Sequence, residues 1–176
     1  MFDDRNENFE RQVETVLRSF KRSLETIESG STELIEMLEW RAFRKSEAWV
    51  EFGGLGPCLG VFVHLEQSRI TLGCHFPQPE EQNSDDFADF LSCLKKSGLS
   101  QKKVQIYLAG FQAVPETDRD RTVINAFQEK TISYFLDLGV GRNCIHEHWA
   151  DDENGIDITL HIGTGEVSVE TQDEWG

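Results

Sequence analysis

Apolar residues near the beginning of the chain recur at every third or fourth position, which is the spacing of one face of an α-helix. This stripe runs from Phe9 to Ile27, and Gly30 follows it as a helix-ending signal. A shorter stripe within 31–43 predicts a second helix. We therefore expect residues 1–45 to form an N-terminal helical extension packed on the rest of the protein.

After Lys45 the pattern changes to short runs rich in β-branched and aromatic residues, which favour strands. Two helical stripes interrupt these runs: one follows the N-cap signal Ser84, and one covers 123–138 and ends at Gly139. This order predicts an α+β fold with a mixed sheet, a domain over 46–170 and a frayed tail over 171–176. The predicted strands are 47–52, 58–65, 69–76, 104–108, 143–149, 156–162 and 166–170, with 58–65 and 69–76 forming a hairpin.

The chain has 176 residues, a length typical of a single domain, with 32 acidic and 17 basic residues and a net charge of −15. Nucleic acids and anionic membranes are bound through clustered lysine and arginine, so this excess argues against both as partners. The charge is unevenly spread. Residues 1–50 hold 8 bases and 11 acids, so −12 of the total falls on 51–176.

No segment reaches the roughly 20 apolar residues that span a bilayer, and the first residues lack the apolar core of a signal peptide. We therefore expect a cytoplasmic protein without membrane insertion. The chain has four cysteines: Cys58, Cys74, Cys93 and Cys144. None of them lies in a Cys-x-x-Cys pair, so we expect free thiols and no zinc ribbon.

Cys58 has the surroundings of an exposed nucleophile, because small neighbours permit a sharp turn and leave backbone N–H groups free for an oxyanion. Four glycines surround it: Gly53, Gly54, Gly56 and Gly60. His75 ends the next predicted strand and could take the thiol proton, leaving a thiolate–imidazolium pair. A small buried cysteine and a histidine bonded to backbone are the simpler structural interpretations. Cys74 is the other candidate thiol, but alternation should turn it to the opposite face from His75.

The order Gly54-Leu55-Gly56-x-Cys58, followed by His75 seventeen residues later, resembles CheD, the bacterial chemoreceptor glutamine deamidase. Looser similarities extend the resemblance over about residues 53–170 and include Leu108-Ala109-Gly110 and the closing Thr164-Gly165-x-Val167 turn. The resemblance implies mixed sheets sandwiched between helical layers. This α/β/β/α arrangement is shared with the catalytic domain of the cytotoxic necrotizing factors.

Carried over to this chain, the resemblance makes Cys58 the nucleophile and His75 its base, without a cofactor. The implied reaction is that of a cysteine amidohydrolase, which converts a glutamine side chain of a protein to glutamate. A methylated glutamate could be hydrolysed in the same way. The target would be a chemoreceptor-like protein or another protein with an exposed glutamine. Backbone groups for the oxyanion would come from the turn residues Gly54, Leu55, Gly56 and Leu59.

A catalytically degenerate domain that only binds a regulatory partner is the alternative. The family has a threonine six residues before its cysteine to orient the histidine, and Phe52 stands there in this chain. A main-chain carbonyl or Glu51 could orient His75 instead. The degenerate domain predicts an ordinary thiol pKa for Cys58 and a His75 that is turned away.

A metal-dependent enzyme is a second alternative, based on three histidines in the last predicted strands. His146 and His148 alternate along one strand and could share a face, with His161 opposite them. Three imidazoles suffice for a catalytic zinc or iron site. Solvent-facing strand histidines are the simpler interpretation, so no metal is our primary expectation.

Overall fold

The computed structural model describes residues 4–76, 84–98, 103–151 and 153–172. Its helices are α1 (Asp4–Ser19), α2 (Asp85–Lys96) and α3 (Arg121–Asp137), with a short 3-10 turn at Arg142–Cys144. Its strands are β1 (Leu24–Glu25), β2 (Thr32–Leu34), β3 (Trp40–Phe43), β4 (Trp49–Leu55), β5 (Leu59–Leu65), β6 (Thr71–Phe76), β7 (Val104–Gly110), β8 (Ile145–Trp149), β9 (Ile156–His161) and β10 (Val167–Thr171).

The larger of two sheets has six strands in the order β1-β3-β6-β5-β7-β8. Each neighbouring pair among its four central strands is antiparallel, while the outer pairs β1–β3 and β7–β8 are parallel. The predicted hairpin of β5 and β6 is therefore confirmed. Its register sets Gly60 opposite His75, which fixes the geometry of the candidate site.

The smaller sheet has four strands in the order β10-β9-β4-β2. The pair β2–β4 is parallel and the other two pairs are antiparallel, so both sheets are mixed. The ladder between β4 and β9 shifts register between Phe52 and Leu55, at the glycine pair that precedes Cys58. This irregularity ends the regular part of β4 just before the candidate nucleophile.

Two apolar clusters hold these layers together. One lies between the helices and the larger sheet and includes Leu17, Phe90 and Phe135; the other lies between the sheets and includes Phe43 and Phe52. Every residue of β5 and β6 is buried, because both faces of these strands are covered. The α+β class with mixed sheets is confirmed. All three described helices join the first cluster, so the described residues form α/β/β layers and not the expected α/β/β/α order.

The N-terminal helix is shorter than the stripe predicts and ends at Ser19 instead of continuing to Ile27. Lys21 adopts a left-handed conformation with φ of 59°, and the N–H of Arg22 returns to the Leu17 carbonyl at 2.9 Å. This is the hydrogen-bond pattern of a Schellman C-cap. Because a lysine occupies the position that usually holds glycine, no composition signal marked the end.

The predicted second helix over 31–43 is wrong, since this segment supplies β2 and β3. β2 pairs in parallel with β4, and β3 pairs with both β1 and β6. Residues 20–45 thus add strands to both sheets, and only 4–19 of the predicted extension is helical. Spacing over so short a segment cannot separate helix from strand when long-range pairing decides the outcome.

The remaining predicted elements are present with shifted ends. The Ser84 hydroxyl accepts from the Phe87 N–H at the start of α2, and Gly139 follows α3 with φ of 93°. Of the predicted frayed tail, Thr171 ends β10 and Gln172 donates to Asp157, while 173–176 lie outside the described residues. Within the described part of the chain, none of the helices is long and apolar enough to cross a membrane.

Candidate active site

Cys58 lies in the turn between β4 and β5, and His75 lies near the end of β6. Gly60, the Cα partner of His75, is two residues after Cys58, and residues two apart share one face of a strand. Cys58 packs against the cluster between the sheets, and the ring of Phe52 from that cluster lies 5.5 Å from the His75 ring. The two residues selected from the sequence therefore lie on the same face of the larger sheet.

His75 is held by three hydrogen bonds to one segment of main chain. Its side-chain Nδ1 lies 3.1 Å from the Ile35 carbonyl oxygen, its backbone N–H donates to Glu39, and its carbonyl accepts from Leu38. A carbonyl oxygen only accepts, so the proton resides on Nδ1. In the neutral ring this leaves the lone pair on Nε2, which is the form that a general base requires.

The Nε2 atom of His75 is buried and has no hydrogen-bond partner in the structure. Burial lowers the pKa of His75, while the bond to the Ile35 carbonyl opposes that shift. The ring is therefore neutral at pH 7. A buried acceptor without a partner costs free energy, and a catalytic role is one of the explanations for such an atom in a native protein.

Phe52 occupies the position of the family's threonine and lies directly beside His75. Its ring meets the imidazole edge-on at 71° and stacks on Phe62 at 4.3 Å. Gly60 permits this packing, because a Cβ at that position would lie 2.8 Å from the Phe52 ring. Phe52 thus supports His75 by contact, and the hydrogen bond expected from a threonine is made by the Ile35 carbonyl.

The thiol of Cys58 is half-buried, and burial raises its pKa, partly opposed by its own backbone N–H. Both shifts favour the neutral forms, a thiol and an imidazole, over the thiolate–imidazolium pair. Activation of Cys58 would then proceed by proton transfer to Nε2 during attack.

The turn residues predicted to supply oxyanion donors differ in availability. The N–H of Gly54 donates to Asp157 Oδ1 at 2.6 Å and is already used. Leu55 and Leu59 are fully buried within their strands. Gly56 remains partly exposed, and its carbonyl accepts from the Gln112 N–H at 2.9 Å.

The end of β7 fixes this turn in place. The carbonyl of Cys58 accepts from the Phe111 N–H at 2.9 Å. Gly110 has φ of 95°, and a Cβ there would collide with the Cys58 carbonyl, so glycine is required by conformation and by space. The Gln112 carboxamide lies beside Gly56. Two main-chain contacts thus pin the cysteine turn to the neighbouring strand.

The other cysteines occupy different environments. Cys74 is fully buried in the helix-side cluster, on the opposite face from His75 as alternation predicts, and burial raises its pKa well above the ordinary value. Burial raises the pKa of Cys93 to about 11. Cys144 is half-buried on the 3-10 turn, and all four thiols are free. Of the four, only Cys58 shares a sheet face with a buried histidine held in the base form.

Of the three histidines of the metal alternative, His146 and His148 share Tyr107 as a ring partner, whereas His161 lies on the other sheet. Nε2 of His146 lies 2.6 Å from Gln105 Oε1, and both His146 and His148 stack on Tyr107. His161 is on the smaller sheet, where it contacts Trp49 and the turn that follows β9. The part of the chain that the structure describes contains no group of three or more His, Cys, Asp or Glu able to hold a metal.

Ile35, whose carbonyl orients His75, carries no signal in the sequence. A main-chain carbonyl was among the expected orienting groups, but this acceptor lies 40 residues before His75. Because every residue carries a carbonyl, no side-chain signal could have found it.

Fold and site together define an α+β protein with a cysteine and an oriented histidine on one sheet face. No family model matches the chain, and no curated protein matches it. Among solved structures, a crystal structure of the hypothetical protein YfiH from Bacillus licheniformis is similar, with a TM-score of 0.46 and 8% identity. The similarity covers 81% of this chain and 70% of that one. At this level it carries no argument about family or activity.

Proposed function

We propose that the protein is a cysteine amidohydrolase that converts the glutamine side chain of a target protein to glutamate. The observation that carries the proposal is the state of His75. Its Nδ1 is fixed on the Ile35 carbonyl, and its Nε2 is buried and unpartnered on the same sheet face as Cys58. This is the arrangement that a general base needs beside a nucleophile.

The reaction begins when Nε2 of His75 takes the Cys58 proton as the sulfur attacks the carbon of the substrate carboxamide. The imidazolium then returns this proton to the departing nitrogen, the C–N bond breaks, and ammonia leaves a thioester on Cys58. Water attacks the thioester, again losing a proton to Nε2. Collapse releases glutamate and restores the thiol. A methylated glutamate follows the same route and releases methanol.

The resemblance of the Cys58–His75 segment to the chemoreceptor glutamine deamidases supports glutamine as the substrate residue. The target would be a chemoreceptor-like protein or another protein with an exposed glutamine. We place this activity in the cytoplasm, where reducing conditions keep a catalytic thiol free. No cofactor is needed for the acyl transfer.

A degenerate binding domain is the second candidate, and two observations favour it. The pKa of Cys58 is raised and not lowered, and Nε2 of His75 makes no hydrogen bond to the thiol. This candidate predicts that peptides bind without any release of ammonia. The presence of a base-form His75, held by the Ile35 carbonyl, favours the enzyme over it.

The test compares wild type with Cys58→Ser and with Cys144→Ser, which changes another half-buried thiol as a matched control. Each protein is incubated with glutaminyl peptides and candidate proteins, and ammonia release and the amide-to-acid mass change are measured. We expect activity in wild type and Cys144→Ser and none in Cys58→Ser. Equal behaviour of wild type and Cys58→Ser would refute the proposed mechanism.

A further inference from the structure

An exposed apolar surface lies beside His75, in the segment that leads from β2 to β3. We call the side chains of Leu34, Met37 and Leu38 the 34–38 surface. They are 47%, 58% and 57% exposed, the largest exposures of any large hydrophobic side chain that the structure describes. Three such residues within five positions concentrate exposed apolar side chains in one segment, and concentrated apolar surface is a mark of interaction sites.

The segment that presents this surface is the same one that holds His75. The N–H of Leu38 donates to the His75 carbonyl at 2.7 Å, and the Ile35 carbonyl accepts from Nδ1. Leu38 has φ of 68°, a conformation that costs energy for a bulky side chain. The fold thus keeps an apolar side chain in solvent while its backbone supports the candidate base.

Leu34, at one end of the 34–38 surface, lies next to the segment that leads to Cys58. The Cδ1 atom of Leu34 lies 3.7 Å from the position of a Cβ on Gly53. Gly53 and Gly54 are exposed, and Cys58 is half-buried four residues further on. A peptide that lies on Leu34 can therefore extend over the exposed glycines of the segment that leads to Cys58.

Carboxylates alternate with the apolar side chains along this segment. The segment 33–39 contains Glu33, Glu36 and Glu39 and no basic residue. Arg41 pairs with Glu33 at 2.8 Å and approaches Glu39 at 4.0 Å, while Glu36 is exposed to solvent. An apolar surface with an acidic rim is complementary to an apolar side chain that has basic neighbours.

We propose that the 34–38 surface recognises the protein segment that carries the target glutamine. That segment places an apolar side chain, flanked by lysine or arginine, on Leu34, Met37 and Leu38. The inference rests on the proposed function and names the substrate class of the same site. The acidic rim disfavours a second copy of this chain as the occupant, because like charges would meet across the contact.

The experiment measures binding apart from chemistry, using the Cys58→Ser protein and fluorescence anisotropy of two labelled peptides. One peptide carries a leucine beside the glutamine with flanking lysines; the other replaces the leucine with serine and the lysines with glutamate. We expect the first to bind at least about tenfold more tightly, with an affinity that falls as salt rises. In wild type, the first peptide should also be deamidated faster.

The test variant is the double substitution Met37→Ser and Leu38→Asn, and its matched control is Leu136→Gln. Asparagine tolerates the left-handed conformation of Leu38, so the double variant should fold normally. Leu136 is 41% exposed on α3, which packs on the opposite face of the larger sheet. We expect a loss of at least about tenfold in peptide affinity for the double variant and no change for Leu136→Gln.

Equal binding of the two peptides, or unchanged binding by the double variant, would overturn the inference. Self-association that the double variant abolishes, without peptide binding, would assign the surface to a second copy and also overturn it. Selective peptide binding without ammonia release in wild type would support the 34–38 surface and refute the proposed chemistry. The two failures are therefore distinguishable.

Discussion

At the scale of single residues, the chemistry depends on the protonation of Cys58 and His75 at neutral pH. Burial moves the two pKa values in opposite directions, raising that of the thiol and lowering that of the imidazole. Both shifts favour the neutral forms. In the proposed reaction the thiol proton therefore moves to Nε2 during attack, and not beforehand as in cysteine enzymes that rest as an ion pair.

The activity should follow a wide bell-shaped dependence on pH. The reactive form has neutral His75 and protonated Cys58, so activity persists below the ordinary histidine pKa and declines only above the ordinary thiol pKa. The measurement is kcat/KM on a blocked glutaminyl-glycine dipeptide from acid to alkaline pH. Thiolate absorbance that appears below neutral pH in wild type, but not in Cys58→Ser, would contradict this resting state.

His64 is a second buried histidine, and it links stability to pH. Its Nδ1 lies 2.9 Å from Thr71 Oγ1, and burial lowers its pKa to about 4, with Glu66 opposing and Arg69 reinforcing the shift. Because the folded pKa lies below the unfolded one, its contribution is complete above about pH 6.5. That contribution is lost as the pH falls from there toward 4.

We expect His64 to account for about 2 kcal/mol of the free energy of unfolding lost between pH 7 and pH 5. Urea unfolding of wild type and His64→Asn at both pH values measures this. Asparagine places a polar atom near the Nδ1 position but does not titrate, so the variant should lose correspondingly less. An equal loss in both proteins would show that His64 is not the source.

At the scale of elements, α1 ends in a left-handed residue that is not glycine, so the sequence does not mark the end of the helix. Lys21 takes the left-handed position of the Schellman cap, where a residue with a Cβ is strained by roughly 1–2 kcal/mol. The fold accepts this cost because it turns the chain toward β1. Leu24 then joins the same apolar cluster as Leu17.

Replacing Lys21 with glycine should stabilise the protein by about 0.5–1 kcal/mol, less than the strain relieved because glycine also gains entropy in the unfolded chain. Thermal or urea unfolding measures the change. Lys21→Ala is the control, since it removes the charge but keeps the Cβ, and it should leave stability nearly unchanged. Equal effects of the two substitutions would mean that the strain at Lys21 is not what limits stability.

Elements with strong local signals were predictable, and elements defined by distant pairing were not. The short connection between the two strands predicted that His75 lies beside Cys58, and alternation predicted that Cys74 faces the other way. The strands within 31–43 depend on partners elsewhere: Ile35 donates its N–H to Glu51, and Trp40 pairs with Cys74. Ile35, whose carbonyl orients His75, belongs to that segment. The wrong prediction of a helix over 31–43 therefore also hid the hydrogen-bond partner of the candidate base.

At the scale of the whole molecule, the net charge of −15 becomes meaningful once the site is located. The segment 51–176, with −12, carries Cys58 and His75, and the acidic residues of 33–39 extend this negative character to the 34–38 surface. A long-range field of this sign attracts basic segments and repels acidic ones. The expected target is therefore a basic region of a protein.

The central claim is that Cys58 forms a thioester with the substrate, and rapid acid quenching followed by mass spectrometry tests it most directly. Wild type mixed with a blocked glutaminyl-glycine dipeptide should acquire one acyl group on the fragment containing Cys58, with release of one ammonia. His75→Asn should accumulate far less adduct, and Cys58→Ser should show no thioester. Ammonia release with the acyl group on another cysteine, or neither ammonia nor adduct with any glutaminyl peptide, would contradict the proposed chemistry.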